Sequence, residues 1–211
     1  MNLLRASANG DLAAVKKFIA EGGDANAADA GGRTPIIEAA WAGHADVVKF
    51  LVEKGANVNT MDNAGYTALM RASEEGHLPV ASYLIAKGAD VNARGKVRGT
   101  TSLMLAAERG QIQILELLLA KGAKINAINQ YEETALARAY HTNQNKAAKL
   151  LESKGGRGKP ERSSYSHYSS RDKENKTIAK SMLPKWSAAF ESENDQDNDE
   201  PAVMPDEAEE E

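Results

Sequence analysis

Gly32-Arg-Thr-Pro-Ile-Ile-Glu-Ala-Ala-Trp-Ala-Gly43 is the stretch on which the fold turns, because it comes back. It returns as Gly65-Tyr-Thr-Ala-Leu-Met-Arg-Ala-Ser-Glu-Glu-Gly76 and again as Gly99-Thr-Thr-Ser-Leu-Met-Leu-Ala-Ala-Glu-Arg-Gly110. A weaker copy starts at Glu132 and keeps Thr134, Ala135, Leu136 and Ala139. The threonines Thr34, Thr67, Thr101 and Thr134 are spaced by 33, 34 and 33 residues. Upstream, Ala6, Gly10, Phe18, Gly22 and Asn26 fall in the same phase. A fixed period of this length is the mark of a stacked repeat.

Each copy reads as helix, turn, helix and extended loop. Thr34 stands at a helix N-cap, and Pro35 at the first helical position, where its missing N–H costs little. The first helix runs to about Gly43. The second carries Val47, Val48, Phe50, Leu51 and Val52 on its buried side. Gly22, Gly55, Gly88, Gly122 and Gly155 end the second helices, a place for the left-handed cap conformation. Helices this short are marginal alone and gain stability by burying one another's apolar faces.

This pattern resembles the ankyrin repeat, with its period of about 33 residues and its T-P-L-H-x-A signature. The histidine of that signature is replaced by Ile37, Met70, Met104 and Ala137, and only Thr34-Pro35 keeps the Thr-Pro pair. The expected fold is all-α: a solenoid over residues 1–155, with units at about 1–26, 27–59, 60–92, 93–126 and 127–155. The end units read as caps. Lys17 stands where Phe50, Tyr83, Leu117 and Leu150 stand elsewhere, and Glu152 stands where Ile19, Val52, Ile85 and Leu119 do. Asn143 replaces the turn glycine, and asparagine tolerates a left-handed backbone better than most residues.

The resemblance implies protein binding along a concave surface of loop tips and first helices. Position by position this gives Glu38, Trp41, Arg71, Glu74, Leu105, Glu108 and Arg109 on the helices, with Arg33, Tyr66, Arg98 and Tyr131 at the loop tips. Trp41 reads either as an interface anchor, since Trp, Tyr and Arg dominate interface energetics, or as packing for the next loop. Leu105 interrupts a charged row formed by Glu38, Arg71 and Arg138, as a contact or as an exposed leucine without a role. The third loop, Arg94-Gly-Lys-Val-Arg98, carries one extra residue and places Lys96 where Asp29 and Asp62 stand. It reads as a contact for an acidic partner or as a tolerated insertion with solvated charges.

After Gly156 the composition changes. Residues 157–185 carry eight Lys/Arg and three acids, and residues 186–211 carry eleven acids and no Lys or Arg. Polar, charge-segregated sequence buries too little apolar surface to offset the entropy of ordering, so 156–211 is expected to be a disordered tail. Ile178, Met182, Leu183, Trp186 and Phe190 interrupt that polarity and read either as a segment that orders on binding or as a chance cluster.

Composition narrows the function class. Across 211 residues, hydrophobic types make up 42%, charged types 27% and aromatics 5%, with a net charge of −4 and no cysteine. No disulfide, thiolate metal site or cysteine nucleophile is available, which suits a cytoplasmic protein. The opening Met1-Asn-Leu-Leu-Arg5 does not read as a secretory signal, because Arg5, Asn9 and Asp11 interrupt any apolar region. No apolar run nears the ~20 residues needed to span a bilayer. No phosphate loop, nucleophile elbow or metal signature occurs. His44 and His77 follow the turn glycine, a structural position in the family, while His141 and His167 stand alone. The expectation is a non-enzymatic binding module or adaptor without cofactor or small-molecule substrate. Its partner is another protein, and the charged tail is a second or regulatory contact in cis or in trans. The alternative is a nucleic-acid-associated protein acting through 157–185.

Overall fold

The computed structural model describes residues 2–158. They form ten helices in five pairs. These are α1 (Leu3–Ala8) with α2 (Leu12–Ala20), α3 (Pro35–Ala42) with α4 (Ala45–Glu53), and α5 (Ala68–Glu75) with α6 (Leu78–Ala86). Then come α7 (Ser102–Arg109) with α8 (Ile112–Ala120), and α9 (Ala135–His141) with α10 (Asn145–Ser153). No strand occurs among the described residues; one isolated antiparallel bridge joins Met61 to Thr67 at the base of a loop. The basic and acidic blocks beyond Gly158, with Ile178, Met182, Leu183, Trp186 and Phe190, lie outside the described residues.

Side-chain size decides how the pairs stack. The first helices bury alanines against one another: Ala39, Ala40, Ala72, Ala106, Ala107 and Ala139. Small side chains let α1, α3, α5, α7 and α9 approach closely, whereas the second helices meet more sparsely. The row of first helices therefore forms the tighter inner side of the stack. In α4 the buried residues are Val47, Val48 and Leu51, while Phe50 and Val52 are only half-buried at the flanks.

Helix starts and turns follow the threonine and glycine pattern, with one difference. The Thr67, Thr101 and Thr134 hydroxyls accept from the N–H of Met70, Met104 and Ala137 at 3.2, 3.3 and 3.2 Å. Thr34 sits at the same N-cap but makes no capping bond, and its buried Oγ1 is unpaired. In that copy the ring of Pro35, whose φ is preset for a helix, starts the turn. At the turns, Gly43 has φ 82° and Gly76 has φ 83°. A Cβ on Gly43 would also come within 2.6 Å of the His77 ring. His77 Nε2 lies 3.0 Å from the Trp41 carbonyl, and His44 Nε2 lies 3.0 Å from that of Ala8. These histidines tie the α3–α4 and α5–α6 pairs to the pair before each, the structural place the resemblance gave them. Asn143 takes the left-handed turn at φ 58°.

Asparagines run a second tie along the stack. The carboxamides of Asn26, Asn59, Asn92 and Asn126 donate to the carbonyls of Gly55, Gly88, Gly122 and Gly155 at 3.0–3.3 Å. Each also accepts a backbone N–H, from Asn57, Asp90, Lys124 and Arg157, at 2.7–2.8 Å. The last rung is closed by Arg157, whose carbonyl also accepts from the Thr134 hydroxyl at 2.7 Å. Backbone pairing of the array thus continues through Arg157. At the caps, exposed Lys17 pairs with Glu21, and exposed Glu152 accepts from the Tyr140 hydroxyl.

The loops correct one alignment. Asp29, Asp62 and Asn129 close their loops by donating their N–H to the carbonyls of Arg33, Tyr66 and Glu133. In the loop before α7 the residue that does this is Gly95, donating to Thr100 at 2.9 Å. Lys96 therefore does not occupy the position of the aspartates. The extra residue lies between Gly95 and Gly99, and the loop closes through a Gly99 N–H to Gly95 carbonyl bond of 2.8 Å. Having no side-chain acceptor at Gly95, this loop lacks the template that the Asp29 and Asn129 Oδ1 atoms provide for theirs.

Candidate functional site

The inner side of the stack brings together residues from α3, α5, α7, α9 and the loops before them. At its centre is Arg71. Its guanidinium carbon lies 4.4 Å from the Trp41 ring centre and 3.8 Å from that of Tyr66. One terminal nitrogen donates to Asp62 Oδ2 at 3.2 Å, and the other lies 3.5 Å from Glu74 Oε2. The Asp62 carboxylate is buried and also accepts the Tyr66 N–H at 2.8 Å. The two aromatic contacts and two carboxylates fix the cation between α3, the loop before α5 and α5 itself. Trp41 lends part of its ring to that stack and keeps 38% of its surface open. Trp41 is thus scaffold on the face toward Arg71 and solvent-exposed on the remainder of its ring.

Charge pairs extend in both directions from this stack. On one side Arg33 binds Asp29 at 2.7 Å and lies 3.2 Å from Glu38, the latter an ionic contact without hydrogen-bond geometry. The Arg33 N–H and side chain hold the Asp29 carboxyl below the ordinary range. On the other side Glu74 bridges Arg71 to Arg109 at 3.2 Å and raises the Arg109 guanidinium. Beyond it, Glu108 pairs with Arg138 and Arg138 with Glu133 at 3.6 Å, and the Glu133 carboxylate lies 3.3 Å from His141 Nδ1. These last residues, with Arg98 and Tyr131, line a polar groove of about 370 Å³.

Leu105 is buried and not on the surface. It is 3% exposed and packs with Met70 and Ala93 in a small apolar cluster beneath the loops, edged by Met61 and Tyr66. It breaks the charged row because it fills the space under the irregular loop, and no surface contact is left to it. Arg94 is also committed in part: its guanidinium donates to the Ile128 carbonyl at 2.6 Å, bracing this loop against the next. Lys96, Arg98 and Tyr131 are exposed. Sequence reasoning missed Asp62 as the buried anchor of Arg71, and it missed the exposed Val97 and Ile128. The paired spacing of Asp62 to Arg71 carries no helical or strand periodicity that would have flagged it.

No group of His, Cys, Asp or Glu side chains among the described residues is arranged to hold a metal ion, and no described helix is long and apolar enough to cross a membrane. The family model described as ankyrin repeats matches residues 3–95 and 93–160. No curated protein matches the chain.

Proposed function

The chain belongs to the ankyrin-repeat family, and on that premise we propose that it is an adaptor that binds a partner protein along the inner face of residues 33–142. Ankyrin repeats are generally protein–protein interaction modules and typically non-enzymatic. The observation that carries the reading is the Trp41–Arg71–Tyr66 stack. It presents the three residue types richest in interface energy, held by ion pairs in one arrangement. A surface already ordered before contact loses little side-chain entropy on binding. Neighbouring Glu74, Arg109 and Glu108 offer alternating charge, which sets register and partner choice more than raw affinity. The charged tail is proposed as a second or regulatory contact, and the cytoplasm as the compartment.

Affinity capture with the full chain tests this, using wild type beside Trp41→Ala, with thermal melts to confirm that both are folded. Loss of a set of captured proteins from the folded variant is the expected outcome. Identical capture by both would remove Trp41 and the inner face from the account.

A further inference from the structure

The irregular loop before α7 shares a groove with the loop that precedes it. Between it and the preceding loop lies a groove of about 270 Å³, lined among others by Tyr66, Met70, Val97, Arg98 and Thr100. The backbones of the two loops meet closely there: a Cβ on Gly65, which has φ 84°, would overlap the Lys96 backbone nitrogen. Met70 rests on Ala93 and Leu105, so the floor is apolar and partly built of methionine, a side chain that adapts to irregular occupants. Val97 stands 59% exposed at the edge. The volume is below the about 300–1,000 Å³ of sites that enclose a small molecule. It suits a single inserted side chain.

Charge chooses the rest of the occupant. On the inner face Arg33, Arg71, Arg109 and Arg138 each pair with a carboxylate. Lys96 and Arg98 have no such pair among the described residues, and Arg94 binds only the Ile128 carbonyl. The rim therefore carries two cations, Lys96 and Arg98, with no described carboxylate within ion-pair distance. We infer that this groove docks an acidic segment of a partner protein, with one apolar or aromatic side chain in the groove and carboxylates on Lys96 and Arg98. The inference deepens the adaptor reading above, on which it rests, by naming the chemistry of the partner. Ion pairs at such an exposed rim steer association and weaken as salt rises.

The probe is a fluorescein-labelled peptide of glutamates around one phenylalanine, titrated into the full chain at low salt and followed by anisotropy and by the methyl signals of Met70 and Val97. Binding with shifts at both methyls is expected. Replacing Lys96 and Arg98 with serine should weaken it at least ~10-fold, and Val97→Ser should weaken it too. A Lys49→Ser, Lys121→Ser variant, which removes the same charge elsewhere, should bind as wild type does. Failure to bind, equal binding of a serine-for-phenylalanine peptide, or equal loss in the Lys49/Lys121 variant would overturn the assignment. So would Val97 methyl shifts in the free protein on dilution or on replacing Trp186 and Phe190 with serine, since the occupant would then be a second copy or the chain itself. If the peptide fails while capture still depends on Trp41, the groove falls and the adaptor reading stands.

Discussion

Arg71 shows how one residue joins stability to recognition. It is nearly enclosed by Trp41, Tyr66, Asp62 and Glu74, and Asp62 has only a backbone N–H besides it. Arg71→Ala would strand a buried carboxylate, at a cost of about 2–3 kcal/mol. Arg109, with a side chain 56% exposed and a single ion pair to Glu74, should lose no more than ~1 kcal/mol as alanine. Urea unfolding of the two variants measures both, and a reversed order would contradict the geometry. Asp29 supplies a pH test. Its folded carboxyl is held below the ordinary value by Arg33 and the Gly31 N–H. Its contribution is present above the unfolded carboxyl's pKa and is lost as pH falls through the lower folded one. Asp29→Asn keeps the acceptor that Asn129 provides in its own loop and removes the charge. The acid limb of the stability curve should become shallower, and an unchanged limb would count against the Arg33 contact.

At the level of elements, much was legible because the punctuation is local. Threonine at the N-cap and glycine at the turn follow from backbone geometry alone, so the helix pairs fall where the period puts them. The irregular loop was not legible to the same degree. Whether Gly95 or Lys96 takes the aspartate's place is decided by which N–H reaches Thr100, and no residue type announces that. Leu105 was misplaced for a related reason: its burial depends on the loop above it, not on its own helix. The Arg71 stack joins residues 30 and 5 positions apart in sequence, Trp41 and Tyr66, a spacing without periodicity. One element carries visible strain. Glu132 adopts φ 60° where the equivalent loops have Gly32, Gly65 and Gly99. Glu132→Gly should stabilise the protein by about 1 kcal/mol, the left-handed penalty less the entropy of glycine. Gly43→Ala should do the opposite, since its Cβ would meet the His77 ring. A lower unfolding midpoint for Glu132→Gly would mean that its side chain does more than tolerate the turn.

On the scale of the whole array, stability is a sum of pair-to-pair ties: alanine contacts between first helices, histidines on preceding carbonyls, and the asparagine ladder closed by Arg157. Such a stack is stiff where both neighbours are present and frays at its ends. That stiffness is what the binding account needs, because it holds the inner face ready without cost at the moment of contact. The most direct test is a hydrogen–deuterium exchange footprint of the full chain, free and in complex with a captured partner. The account predicts added protection in residues 33–42, 64–75 and 94–109, with little change in α4, α6 and α8. Protection confined to those outer helices, with the Trp41–Arg71–Tyr66 face unaltered, would contradict it.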